Sequence, residues 1–142
     1  MTELLQTLPE VKGEYKFNEP LKKYTWLNVG GPAEVMFFPQ DEKDLQDFLK
    51  NKPKNTSLFI LGAGSNLLVR DGGMKGVVIK LKSPKFAEWS IQDDTLRVGS
   101  GLKNAALKNI LLQNSVAGLE FICSKVKSVL SYSFPWVMSL RN

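Results

Sequence analysis

Two apolar runs, Leu58 to Leu61 and Leu67 to Val69, are separated by Gly62-Ala63-Gly64-Ser65-Asn66. No other stretch constrains the fold as tightly. The pattern predicts a strand, a tight loop and a second strand. Glycine tolerates positive φ and lets backbone N–H groups approach a bulky anion with no Cβ in the way. Ser65 and Asn66 bring side-chain hydrogen-bonding groups to the same place. A loop of this kind suits a diphosphate bridge.

Several loop types could answer to that description. The P-loop is excluded, because it ends in Gly-Lys-Ser/Thr and here Gly64 is followed by Ser65-Asn66. The dinucleotide fingerprint G-x-G-x-x-G also fails: the residue three beyond Gly64 is Leu67, and a strand is expected where that motif needs a helix. A strand-loop-strand nest, whose successive N–H groups surround phosphate oxygens, remains open. So does a tight turn that binds nothing.

Composition narrows the class. With 142 residues, 43% apolar and 23% charged, the chain has the makings of one soluble core or two small subdomains sharing one. The net charge of +5 comes from scattered lysines, with no dense basic stripe and no nucleic-acid module, so an anionic small ligand fits and nucleic acid is not expected. Cys123 is alone and histidine is absent. That removes intrachain disulfides, multi-cysteine metal sites, the Ser-His nucleophile and the commonest general base. No apolar run approaches the roughly 20 residues that span a bilayer, and Met1 to Glu10 is not a leader, so the expectation is a cytoplasmic protein without membrane contact.

The rest of the chain reads as mixed α/β. Residues 1–24 predict a short helix and an extended arm, with Pro20 breaking any longer helix. Tyr24 to Val29 has strand composition and ends at the turn Gly30-Gly31-Pro32. Ala33 to Phe38 is a second strand. Asp41 is an N-cap for a helix over about residues 42–51, with Leu45, Phe48 and Leu49 on one face. Strands are expected at Ser57–Leu61, Leu67–Arg70 and Gly76–Leu81. Phe86–Ile91 and Thr95–Val98 form a hairpin around Asp93-Asp94, and Leu102–Asn114 is helical. A boundary falls near Lys82-Ser83-Pro84.

Three phrases occur together in the order and spacing of a known family. They are Thr25-Trp26-Leu27-Asn28-Val29-Gly30-Gly31-Pro32-Ala33, the stretch LGAGSNLLVRDGGMKGVVIKL over 61–81, and Gly118-Leu119-Glu120-Phe121. Over residues 9–124 the chain resembles the UDP-N-acetylenolpyruvoylglucosamine reductase family. The resemblance implies the FAD-binding fold of the vanillyl-alcohol-oxidase/PCMH type, with subdomains at 1–82 and 83–124. It implies that Gly62, Ala63, Gly64, Ser65 and Asn66 line the FAD diphosphate, with Leu61 and Leu67 in the strands that hold the loop. Thr25, Gly30 and Gly31 are expected to pack as a turn against that loop, and Asp71 to cap Gly72-Gly73. The reaction implied is NADPH- and FAD-dependent reduction of the enolpyruvyl double bond of a nucleotide sugar, giving UDP-N-acetylmuramate for peptidoglycan, by a monomer.

After Ser124 the resemblance stops. Residues 125–142 contain no glycine, where the family continues with glycine-rich phrases and then its arginine, serine and glutamate of catalysis and a substrate domain. No catalytic residue of the family has a counterpart here. The abrupt change predicts a reading-frame shift, a decayed copy or an assembly error, with 125–142 a non-family tail; the competing reading is a genuine divergent tail. On that expectation the second subdomain is incomplete. The helix at 102–114 and the edge of GVVIKL lack cover, and Val129, Leu130, Phe134, Trp136 and Val137 add an exposed apolar patch. FAD is then bound weakly or not at all, without turnover. The competing classes are another flavoprotein of the same fold, such as an oxidase of small alcohols, and a non-catalytic nucleotide- or nucleic-acid-binding module. Flavin oxidation by added substrate would tell the first from the reductase reading, and salt-dependent retention on DNA would mark the second.

Overall fold

The computed structural model describes residues 4–65, 67–93, 95–116 and 136–139. In chain order the elements are α1 (Leu4–Thr7), β1 (Glu14–Pro20), β2 (Pro32–Phe38), α2 (Glu42–Asn51), β3 (Leu58–Ile60), β4 (Met74–Ile79), β5 (Trp89–Gln92), β6 (Thr95–Val98), α3 (Asn104–Gln113) and β7 (Trp136–Ser139). Single 3-10 turns occupy Leu21–Tyr24 and Pro84–Ala87.

Asp41 starts α2 as an N-cap, its carboxylate accepting the backbone N–H of Asp44 at 2.9 Å. The apolar run before it is β2, which sits inside a four-stranded sheet ordered β1-β2-β4-β3. β1 runs antiparallel to β2, while β2–β4 and β4–β3 are parallel. Side chains alternate along β2, so Val35 and Phe37 go to one face and Met36 and Phe38 to the other. Both sets are buried, and each face therefore needs a cover. Phe48 of α2 closes the first face over Phe37, Val77 and Ile79. Leu61, Val69, Leu21 and the half-buried Tyr24 and Leu67 close the second, over Met36, Phe38 and Val78. The glycine loop is thus part of the sheet's second layer, not a free tip.

β3 and β4 are parallel neighbours, and the chain between them must cross over the sheet. Residues 61–73 make that crossing without a helix. Here the expected strand at Leu67–Arg70 is corrected: both edges of β4 are already taken by β2 and β3, so the segment lies over the sheet instead of joining it. For the same reason the edge of GVVIKL is not left open. The strand expected at Tyr24–Val29 is also absent. Asn28 adopts φ +52°, its N–H donates to the Thr25 carbonyl at 3.2 Å, and the Thr25 hydroxyl donates to the Val29 carbonyl at 3.1 Å. These bonds close a turn that a strand cannot contain.

The second sheet is antiparallel, β5-β6-β7. Its hairpin turns at Asp93, φ +51°, close to the expected place, but β5 begins only at Trp89, because Phe86 is buried in a 3-10 turn. Contrary to expectation, α3 is covered: Leu107 and Leu111 pack on Leu96, with Ile91, Val98 and Leu102 around them. From the 125–142 segment, Trp136–Ser139 pairs with β6, placing Met138 opposite Leu96. The other residues named for the tail, Val129, Leu130 and Phe134, lie outside the described residues, as does the Gly118–Phe121 phrase. No helix among the described residues is long and apolar enough to cross a membrane.

Candidate functional site

The loop leaves β3 as a continuation of its ladder, with the Leu61 N–H donating to the Ile79 carbonyl at 2.8 Å. Two of its carbonyls are then tied down. Gly62 accepts from the Lys80 ammonium at 2.6 Å, and Gly64 accepts from the Trp26 backbone N–H at 3.0 Å. In a trans peptide the C=O and the following N–H point in opposite directions. Anchoring the Gly62 and Gly64 carbonyls therefore turns the N–H groups of Ala63 and Ser65 away from the anchors. Among the described residues those two N–H groups have no acceptor. Gly62 and Ala63 are exposed and Ser65 is half-buried, so the free donors sit at an accessible surface. Asn66 lies outside the described residues.

The glycines divide the work. Gly64, at φ +71°, packs its α-carbon against the Tyr24 carbonyl, where no side chain fits. Among the described residues, nothing beyond its chain neighbours comes within 4 Å of where a Cβ on Gly62 would stand. One glycine seats the loop and the other leaves room in front of it. The phrase at residues 25–33 supplies the seat: Thr25 is buried, Gly30 packs on Val69, and the Gly31 N–H donates to the Arg70 carbonyl at 3.0 Å. Thr25, Gly30 and Gly31 thus pack as a turn against the loop, as expected. Asp71 differs from expectation. The Gly72-Gly73 turn is closed by the Gly73 N–H on the Arg70 carbonyl at 2.9 Å, not by the Asp71 side chain, and Asp71 is exposed.

Lys80 went unread in the sequence, although a lysine inside GVVIKL is a charge where the pattern calls for an apolar residue. Its ammonium also lies 5.9 Å from the centre of the Tyr24 ring. Burial pushes its pKa below the ordinary lysine value, and the neighbouring Lys103 adds repulsion. The Tyr24 phenol, pushed up to about 12 by burial, donates to Glu19 at 2.9 Å and is held protonated by that carboxylate. Among the described residues no group of three or more His, Cys, Asp or Glu could hold a metal.

Residues 33–131 match the family described as FAD binding domain. That range runs from β2 through α3, with the glycine loop and Lys80 inside it. The chain belongs to the FAD binding domain family. Curated relatives similar to this FAD binding domain include UDP-N-acetylenolpyruvoylglucosamine reductases of three organisms. The one from Nitrobacter hamburgensis is 41% identical over 120 residues, 84% of this chain and 39% of the relative. Those from Caulobacter sp. and Rickettsia conorii are each 44% identical, over 80% and 81% of this chain and 37% and 39% of theirs. Among solved structures, the UDP-N-acetylenolpyruvylglucosamine reductase of Thermus caldophilus superposes with a TM-score of 0.61 at 29% identity, covering 81% of this chain and 38% of its own. The chain spans about two fifths of the length of these relatives. Its fold is the mixed α/β arrangement of PCMH-type FAD-binding domains, and FAD is its cofactor. The loop fits that cofactor: two accessible donors with no acceptor among the described residues, and a cation behind them, are complementary to a diphosphate.

Proposed function

We propose that this FAD binding domain is the cofactor-binding part of a UDP-N-acetylenolpyruvoylglucosamine reductase, acting with NADPH on a nucleotide-sugar enolpyruvate in peptidoglycan precursor synthesis. One observation carries the reading. The loop at 62–65 presents the Ala63 and Ser65 N–H groups without acceptors among the described residues, in a chain 41–44% identical to named reductases. Bound FAD supplies the hydride chemistry. The residues of this chain do the holding: Gly62, Ala63, Gly64 and Ser65, with Asn66, line the diphosphate, and Trp26 fixes the loop. No residue of the 142 is assigned a catalytic role, and the polypeptide by itself is expected to oxidise no NADPH.

The same reading makes 1–82 and 83–124 the two subdomains of the cofactor site and 125–142 a tail outside the reductase family, although the FAD binding domain match itself runs on to residue 131. It makes the working protein cytoplasmic and monomeric, without nucleic-acid or membrane partners. The test has two parts. FAD is titrated into the 142-residue chain and followed by backbone amide NMR; saturable shifts centred on Ala63 and Ser65 are expected, even if affinity is low. Residues 9–124 are then exchanged into the matching part of the Caulobacter reductase, where NADPH oxidation dependent on the enolpyruvyl substrate should persist. Amide shifts scattered away from the loop, or a chimera that folds with flavin yet ignores the substrate, would overturn the proposal.

A further inference from the structure

β4 ends at Ile79, whose side chain joins the face covered by α2, while Val78 joins the face covered by the loop. The alternation continues into residue 80, whose backbone N–H still donates to the Phe37 carbonyl at 2.9 Å. Lys80 is thereby delivered to the loop's face of the sheet. Packing alone does not account for a lysine there, since Leu or Met would fill the place without desolvating a charge. Among the described residues no carboxylate lies within ion-pair distance of its ammonium. The partners it has are the Gly62 carbonyl and the Tyr24 ring.

We propose that Lys80 is the positioning residue of the cofactor loop: by holding the Gly62 carbonyl at 2.6 Å it turns the Ala63 N–H outward, and its unneutralised charge draws the cofactor's diphosphate to that side. The inference rests on the reading of the loop as the FAD site. Two effects combine in one side chain. The hydrogen bond fixes a peptide plane that glycine on one side would otherwise leave free to rotate. The charge acts across a partly desolvated environment, where attraction for an anion is stronger than in bulk water. The depressed pKa of this ammonium is the counterpart of the same unbalanced position.

Three variants test it in the full 142-residue chain: Lys80→Met, with the stem but no donor or charge; Lys80→Gln, a neutral donor; and Lys80→Arg, a charged donor. Loop order is read in the free protein from 15N relaxation at Gly62 to Ser65. Affinity is read with FAD and ADP as diphosphate probes and with adenosine as the uncharged control. Lys80→Met should loosen the loop and weaken FAD and ADP by about tenfold or more, as expected for loss of a charge-assisted hydrogen bond, while leaving adenosine unchanged. Lys80→Arg should stay within about threefold of the parent, because donor and charge are both kept. Lys80→Gln should keep part of the loop order and lose the affinity, which also covers the case in which the methionine variant does not fold.

Unchanged loop relaxation and unchanged FAD and ADP affinity in Lys80→Met or Lys80→Gln would overturn the inference and leave the site reading intact. Equal weakening of adenosine and ADP would overturn it too, since a general structural role predicts that. If neither FAD nor ADP touches the loop of the parent chain, the site reading fails, and the role of Lys80 toward the diphosphate fails with it.

Discussion

The Trp26 backbone N–H donates to the Gly64 carbonyl at 3.0 Å, and through that bond two sequence phrases nearly forty residues apart form one surface. Gly64 lies against the carbonyl of Tyr24 on the same side. The turn at 25–31 and the loop at 62–65 therefore stand or fall together. Trp26, Leu27 and Leu68 are left exposed around them, at 72%, 60% and 69%.

Gly64→Ala and Gly62→Ala should behave oppositely. The Tyr24 carbonyl occupies the place of a Cβ on Gly64, and φ is +71°, so alanine there should cost about 1–3 kcal/mol from backbone strain, before the clash is added. Among the described residues nothing beyond the chain neighbours lies within 4 Å of that position on Gly62, so alanine there should change stability by no more than about 0.5 kcal/mol. Its methyl group would stand beside the free Ala63 N–H and should weaken FAD. Urea unfolding of both variants measures the contrast, and equal midpoints would refute it.

What the sequence made readable follows from how local each signal is. Asp41 and the spacing of Leu45 and Phe48 define α2 because an N-cap and a helical face are properties of a few neighbouring residues. GVVIKL reads as a buried strand for the same reason. Tyr24–Val29 misled because β-propensity reports fit to a pleated surface, and no neighbour offers one there. Leu67–Arg70 misled because pairing partners are a property of the whole sheet, and β4 had no edge left. The glycines of the loop were visible, yet their division into a seated Gly64 and an open Gly62 was not. Lys80 was invisible as a site residue because its role depends on the crossing of 61–73 over the sheet.

Asp44 ties the entry of β1 to the start of α2. Its carboxylate, 4% exposed, accepts the N–H groups of Lys12 at 2.8 Å and of Gly13 and Gln40 at 2.9 Å each. Asp44→Ala removes a charged acceptor from all three donors, and the expected loss is about 3 kcal/mol or more, given roughly 1.5–3 for one bond to a charged group. Asp44→Asn keeps one acceptor oxygen and should recover part of it. Equilibrium denaturation checks the order; an alanine variant as stable as the parent would contradict it.

Phe48 and Leu49 are neighbours on α2 with different surroundings. Phe48 is fully buried, its ring 4.6 Å from that of Phe37, whereas Leu49 is 36% exposed. Phe48→Ala should cost about 3–5 kcal/mol through lost packing and the cavity left behind. Leu49→Ala should cost about 1 kcal/mol or less. Comparable losses at the two positions would mean that α2 docks by another face.

The alkaline limit of this fold should be set by two tyrosines. Tyr15 is pushed up to about 12 by burial and then by the charge of Asp44, and Tyr24 to about 12 by burial and then by its hydrogen bond to Glu19. Both phenols hold their protons more tightly folded than unfolded, where the ordinary value is 10.0. The stability they contribute is complete below that value and is lost as pH climbs through about 12. Lys80 works in the other sense. Its folded pKa is depressed, so the unfolded chain binds that proton more tightly, and stability rises with pH until the ordinary lysine value of 10.5 is passed. Two raised groups against one lowered group leave a net decline above about 10. Urea midpoints measured across that range should fall steeply in the parent and less in Tyr15→Phe and Tyr24→Phe, with the double variant flattest. A double variant that declines as steeply as the parent would place the cause elsewhere.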